Sequence, residues 1–165
     1  MRQRTWSLPA VHPSQRRRAH ARPWLLIEDA SPVLQVSDLS LYHQAGFNVA
    51  VCSGPDRFHA CPLVDGMPCK LVDVADIVLF GLDLEKEEGQ RVLRAHLRQR
   101  PGAPTVIEVP HGSDAPLPDD ATSATVLRTP SVSGQTRALW KALHAAGWRG
   151  SHTQTPIDHV NRSMR

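Results

Sequence analysis

The stretch Ala75-Asp-Ile-Val-Leu-Phe-Gly-Leu-Asp-Leu84 holds a short unbroken apolar run, Ile77 to Phe80, opened by Asp76 and closed by Gly81. Strands that read as continuous Val/Ile/Leu, without alternation, are buried on both faces, as in a parallel sheet covered by helices. A similar run precedes it, Trp24 to Ile27, ending in Glu28-Asp29, and another follows at Thr105 to Ile107. Three such runs separated by helical patterns predict an α/β fold.

Outward from this stretch, helix and strand signals alternate. Ser31-Pro32 is a helix start, with Ser as N-cap and Pro in the first turn. The helix is expected to run to Ala45 with Leu34, Leu41 and Ala45 inward and Val36 and Leu39 beside them, and to end at Gly46. Phe47 to Val51 predicts the second strand, ending at Cys52. From Ser53 to Lys70, Pro55, Pro62 and Pro68 interrupt any regular helix, so an irregular connection is expected, with one turn near Asp56 to His59.

After Leu84 a helix is expected from Lys86 to Arg100. Val92, Leu93, His96 and Leu97 form its inner face, and Glu87 and Glu88 are spaced to pair with Arg91 on its outer face. Thr105 to Val109 is the fourth strand. The segment 111–122 is rich in Pro, Asp and Ser, which predicts a short or missing fourth helix. Ala124 to Leu127 is the fifth strand. A last helix is expected from Ser133 to Ala146, with Val132, Leu139, Trp140 and Leu143 inward and Gly147 closing it. This order predicts a doubly wound, flavodoxin-like five-stranded parallel sheet of order 2-1-3-4-5. An irregular Cys/Pro-rich loop replaces its second crossover helix.

The length of 165 residues suits one domain, expected over 23–147. Hydrophobic residues at 41% and charged residues at 21% are ordinary for a globular chain. No run is long enough for a membrane span, and no secretory h-region opens the chain, so a cytoplasmic location without membrane contact is expected. Residues 1–22 hold six arginines and no acid, so taking them from the net +3 leaves −3 for the rest. They read as a disordered Arg-rich arm, with Arg16-Arg17-Arg18 as a candidate nucleic-acid contact. Residues 148–165 read as a polar tail.

Leu-Leu-Ile-Glu-Asp-Ala-Ser at 25–31 resembles the start of a response-regulator receiver (CheY-like) domain, where an acidic pair ends the first strand. Asp76 to Leu84 resembles the receiver's third strand, and Thr129-Pro130 its Lys-Pro step. The resemblance covers residues 23–146. It implies a Mg²⁺ site at Glu28 and Asp29, since hard cations take carboxylate and phosphate oxygens. It also implies a phosphoacceptor at position 81, which here is Gly81. Val109 or Pro110 stands at the family's Ser/Thr position, and Thr129 replaces the Lys.

The pocket implied by the resemblance is therefore degenerate: Glu28, Asp29, Gly81, Asp83 and Thr129, with Asp83 as a displaced acceptor two residues on and His111 at its flank. The function implied is a non-catalytic, phosphorylation-independent signalling domain that works by contact with a protein partner. A homodimer through the last helix would follow the family's habit.

A second function class rests on the cysteines. Cys52, Cys61 and Cys69, with His59 nearby and His111 as another candidate, are soft donors for Zn²⁺ or an Fe–S cluster, or thiols for redox sensing. Their spacing contains no C-x-x-C pair. A third class, an enzyme at the crevice using Glu28, Asp29 and Asp83, lacks a nucleophile–base pair.

Overall fold

The computed structural model describes residues 22–30, 36–55, 60–110, 112–128 and 131–149. Its strands are β1 (Trp24–Glu28), β2 (Asn48–Cys52), β3 (Ile77–Phe80), β4 (Thr105–Val109) and β5 (Thr125–Arg128). They form one five-stranded sheet of order β2-β1-β3-β4-β5. Every pairing is parallel, with Leu25 opposite both Val49 and Ile77, and Leu79 opposite Val106. The predicted sheet and strand order are thus present.

Among the described residues four helices cover the sheet: α1 (Val36–Gln44), α2 (Lys70–Val74), α3 (Glu87–Gln99) and α4 (Val132–Ala145). Strand alternation sorts the core into two layers. Leu25, Ile27, Ile77, Leu79 and Val106 pack with Tyr42, Phe47, Leu139 and Leu143, which belong to the α1 and α4 side. Leu26, Val78, Phe80, Ile107 and Val109 pack with Val72, Val92, Leu93 and Leu97, from α2 and α3. β3 is buried at all four positions, which is why its sequence shows no alternation. Each such side chain, fully buried, contributes roughly 1.5–3 kcal/mol of transfer free energy.

Local signals explain the helix ends. The Ser131 hydroxyl accepts the Gly134 amide at 3.2 Å and caps α4. The start of α3 depends on close backbone approach: a Cβ on Gly89 would stand 2.1 Å from the Asp83 carbonyl oxygen. The inner face predicted for α3 is buried as expected.

Other expectations are corrected. Leu41 is 43% exposed, whereas Tyr42 and Ala45 are buried, so α1 is rotated from its predicted phase. Aromatic and aliphatic positions compete for one face, and the larger ring wins the interior. The second crossover is not loop throughout: after Pro68 it forms the one-turn helix α2. Gln99 holds α2 by accepting the Cys69 amide at 2.9 Å and donating to the Asp73 carboxylate at 2.6 Å. The Arg100 guanidinium reaches the carbonyls of Val72 and Ala75. Local propensity could not reveal α2, because its anchors lie 25 to 30 residues away.

Among its described residues the connection between β4 and β5 holds a 3-10 turn, Asp119–Ser123, and no α-helix, in agreement with its composition. Neither Glu87 nor Glu88 pairs with Arg91; Lys86 instead meets Asp83 at 3.3 Å. The Ser31-Pro32 start, Leu34, the turn at 56–59, the arm and the tail lie outside the described residues. Among the described residues no helix is long and apolar enough to cross a membrane.

Candidate functional site

The sheet's carboxyl edge gathers the acids, but not as one cluster. β1 ends at Glu28, and the ladder continues one step: the Gly81 amide donates to the Glu28 carbonyl at 2.7 Å, and the Asp29 amide donates to the Cys52 carbonyl at 3.0 Å. Glu28 shares its face with Phe80 and Ile107, toward α3. Asp29 shares the opposite face with Gly81 and Glu108, toward α1 and α4. Consecutive residues of a strand point to opposite sides.

At Gly81 the backbone leaves room for a side chain. An added Cβ would lie 3.4 Å from Glu108 Oε2, 3.5 Å from the Glu28 carbonyl and 3.7 Å from Asp29 Cβ. The Glu108 carboxylate therefore leans into the space beside the missing side chain. Its other oxygen, Oε1, accepts the Gln135 amide from α4. Gln135 Oε1 in turn accepts the Tyr42 hydroxyl from α1 at 2.5 Å. Burial pushes the Glu108 carboxyl above its ordinary range, the Gln135 amide pulls it back, and the Asp29 charge adds to the rise.

Glu108 was not among the residues expected here. The visible signal is an acid at the fourth position of an otherwise apolar strand, Thr-Val-Ile-Glu-Val. Val109, expected at the Ser/Thr position, is buried in the α3 layer instead, because register and alternation give Glu108 the crevice side.

Glu28 behaves differently. It is 2% exposed, and burial raises its pKa from 4.5 to about 8. His96, 0% exposed, faces it with Nδ1 3.7 Å from Oε2. Burial, then the Arg100 charge, lowers the imidazole pKa from 6.5 to about 4. At neutral pH both groups are uncharged, and 3.7 Å is too long for a hydrogen bond. Glu28 Oε2 and both ring nitrogens of His96 have no hydrogen-bond partner. The implied Mg²⁺ site is corrected by this geometry: Glu28 and Asp29 do not face one point, and Gly81 offers no third carboxylate. Glu108, the replacement donor, is already held by Gln135. The residues do not fit the family's cation.

Asp83 lies beyond the strand on the exposed turn. Its Oδ1 accepts the Glu85 amide at 2.9 Å, and its Oδ2 meets Lys86. Leu82 and Leu84, buried on either side, fix that orientation. Thr129, His111 and His59 lie outside the described residues.

All three cysteines come together. Cys52, Cys61 and Cys69 line one cavity of about 260 Å³ with Glu28, Gly54 and Val92. Burial raises the Cys52 thiol pKa above its ordinary value; hydrogen bonding to Gly54 lowers it, and Glu28 and the other two thiols add to the rise. Each cysteine is a free thiol. Among the described residues no three His, Cys, Asp or Glu side chains are placed to hold a metal ion.

No protein-family model matches the sequence, and no curated protein matches it. Solved structures do. A response regulator receiver protein from Sinorhizobium medicae is 20% identical with a TM-score of 0.52, over 76% of this chain and 97% of that one. A receiver domain protein from Clostridium thermocellum is 18% identical at 0.53, over 74% and 95%. A CheY-like receiver domain protein from Methanospirillum hungatei is 14% identical at 0.53, over 76% and 96%. At these identities the likeness speaks for architecture. With β2-β1-β3-β4-β5 in one parallel sheet, the chain has the fold of the CheY-like receiver domains.

Proposed function

We propose that this chain is a receiver-like regulatory domain of signal transduction that works by contact with a protein partner, without catalysis and without phosphorylation. One observation carries the reading. Where receivers hold their acceptor, this sheet has Gly81, and the Glu108 carboxylate stands 3.4 Å from where a side chain would begin. A phosphoryl group there would lack a covalent anchor and would meet two carboxylates, Asp29 and Glu108. Like charges at about 4 Å repel by about 1 kcal/mol in water and by about 4 kcal/mol at an effective dielectric of 20.

The Glu108–Gln135–Tyr42 chain supports a fixed output state. It ties the crevice to α4 and α1 by hydrogen bonds that are present without any modification. Asp83 is engaged by its own turn and is no substitute acceptor in this reading.

The test is incubation of the full chain with an acyl phosphate and Mg²⁺, followed by intact mass. No gain of one phosphoryl group is expected. A gain that Asp83→Ala abolishes overturns the reading.

A second reading is favoured by the convergence of all three thiols on one cavity beside an unpartnered carboxylate oxygen. It is a redox-sensing site at Cys52, Cys61 and Cys69, because among the described residues no three ligating side chains are placed to hold a metal ion. Loss of two thiols per chain on mild peroxide treatment supports it. Three titratable thiols after that treatment count against it.

A further inference from the structure

We propose that Arg91, Arg94 and Arg98 form a binding site for a small polyanion of the organic di- or triphosphate class. The three arginines lie at i, i+3 and i+7 of α3, which puts them on one side of the helix. They line a concavity of about 290 Å³ whose other wall is Leu63 and Val64, with Ala95 at its base. That wall is built, not loose: the Val64 and Asp65 amides donate to the Cys61 carbonyl, and Met67 donates to Pro62 at 2.8 Å.

Arginines on a solvated helix commonly meet acids three or four positions earlier. Glu87 and Glu88 stand at those positions before Arg91, yet no ion pair forms. Among the described residues none of the three guanidiniums has a hydrogen bond or an ion pair to an acid. Three positive charges are thus concentrated on a body whose net charge outside residues 1–22 is −3.

The geometry suits phosphate. Guanidinium forks bind phosphate oxygens in pairs. From Arg91 to Arg98 the helix axis advances about 10.5 Å, and flexible side chains on that base can converge on two or three linked phosphates. The volume is near the lower end of small-ligand sites, roughly 300 Å³. Concavity favours a small anion over the flat face of a protein. This site is on the outer face of α3, away from Gly81 and Glu108, so it stands or falls separately from the reading of that crevice.

The experiment is calorimetric titration of the full chain at low salt with ATP, pyrophosphate and adenosine. ATP and pyrophosphate are expected to bind and to compete, and adenosine alone to fail. Each of Arg91→Gln, Arg94→Gln and Arg98→Gln should weaken ATP about tenfold or more. Replacing Arg16, Arg17 and Arg18 by Gln should leave the affinity within about twofold, which separates the site from the basic arm. Arg94→Lys, which keeps the charge but loses the fork, should fall between wild type and Arg94→Gln. Unaltered thermal midpoints in the Gln variants exclude a folding defect as the cause. Absence of ATP binding at millimolar concentration overturns the proposal. So does binding that survives the triple Gln variant, or binding of poly-glutamate where both phosphates fail.

Discussion

Substituting Gly81 with Ala and with Asp separates the space at the strand end from the charge around it. The Gly81 backbone does not require glycine, since its φ is not among the positive values. The added Cβ meets its neighbours at 3.4–3.7 Å, which is ordinary contact. Gly81→Ala should therefore stabilise the chain by about 0.4–1 kcal/mol, through the smaller entropy of the unfolded state. Gly81→Asp has the same backbone gain but places a third carboxylate beside Asp29 and Glu108. Between the water value and the partly buried value of Coulomb repulsion, a net loss of about 2 kcal/mol relative to Gly81→Ala is expected at pH 7. With a urea slope of about 2 kcal/mol/M, the midpoints differ by about 1 M. Circular dichroism during urea titration reads this directly. As pH falls, the Glu108 carboxyl, which burial holds above its ordinary range, takes up its proton first, the repulsion weakens and the two midpoints should approach each other. A loss above about 2 kcal/mol for Gly81→Ala would refute the open space. Equal midpoints for Ala and Asp at pH 7 would refute the flanking carboxylates.

Other outcomes follow from the buried groups. The Glu28 carboxyl titrates at about 8 when folded against 4.5 otherwise, so the folded chain holds the extra proton between those values. Wild-type stability should fall by a few kcal/mol as pH rises through that window, and Glu28→Gln should lack the fall in denaturant titrations at several pH values. His96→Leu removes two unsatisfied ring nitrogens and should be neutral or stabilising in a thermal melt, whereas Leu93→Ala, one turn away, should cost about 2–5 kcal/mol. Tyr42→Phe removes the hydroxyl held by Gln135 and should cost about 1 kcal/mol by urea unfolding.

The fold was readable because its signals are local. Apolar runs at 24–27, 77–80 and 105–107 mark buried strands, and the glycines and prolines between them mark where helices stop. That order is enough for a parallel sheet, and β3 begins and ends where its residues say it should. That the end of β3 carries no side chain at position 81 was equally visible, since glycine has none in any environment.

Only the tertiary structure decided which acids share a space. Glu28 and Asp29 are neighbours in sequence but part across the sheet, because the pleat reverses direction at every residue. Asp29 gains Glu108 as its neighbour instead, a residue 79 positions later brought near by the β3–β4 register. The juxtaposition of Glu28 and His96, the anchoring of α2 by Gln99 and the gathering of three cysteines around one cavity have the same origin. Residue spacing sets the direction of a side chain along its own element, but the packing of separate elements sets what that side chain meets.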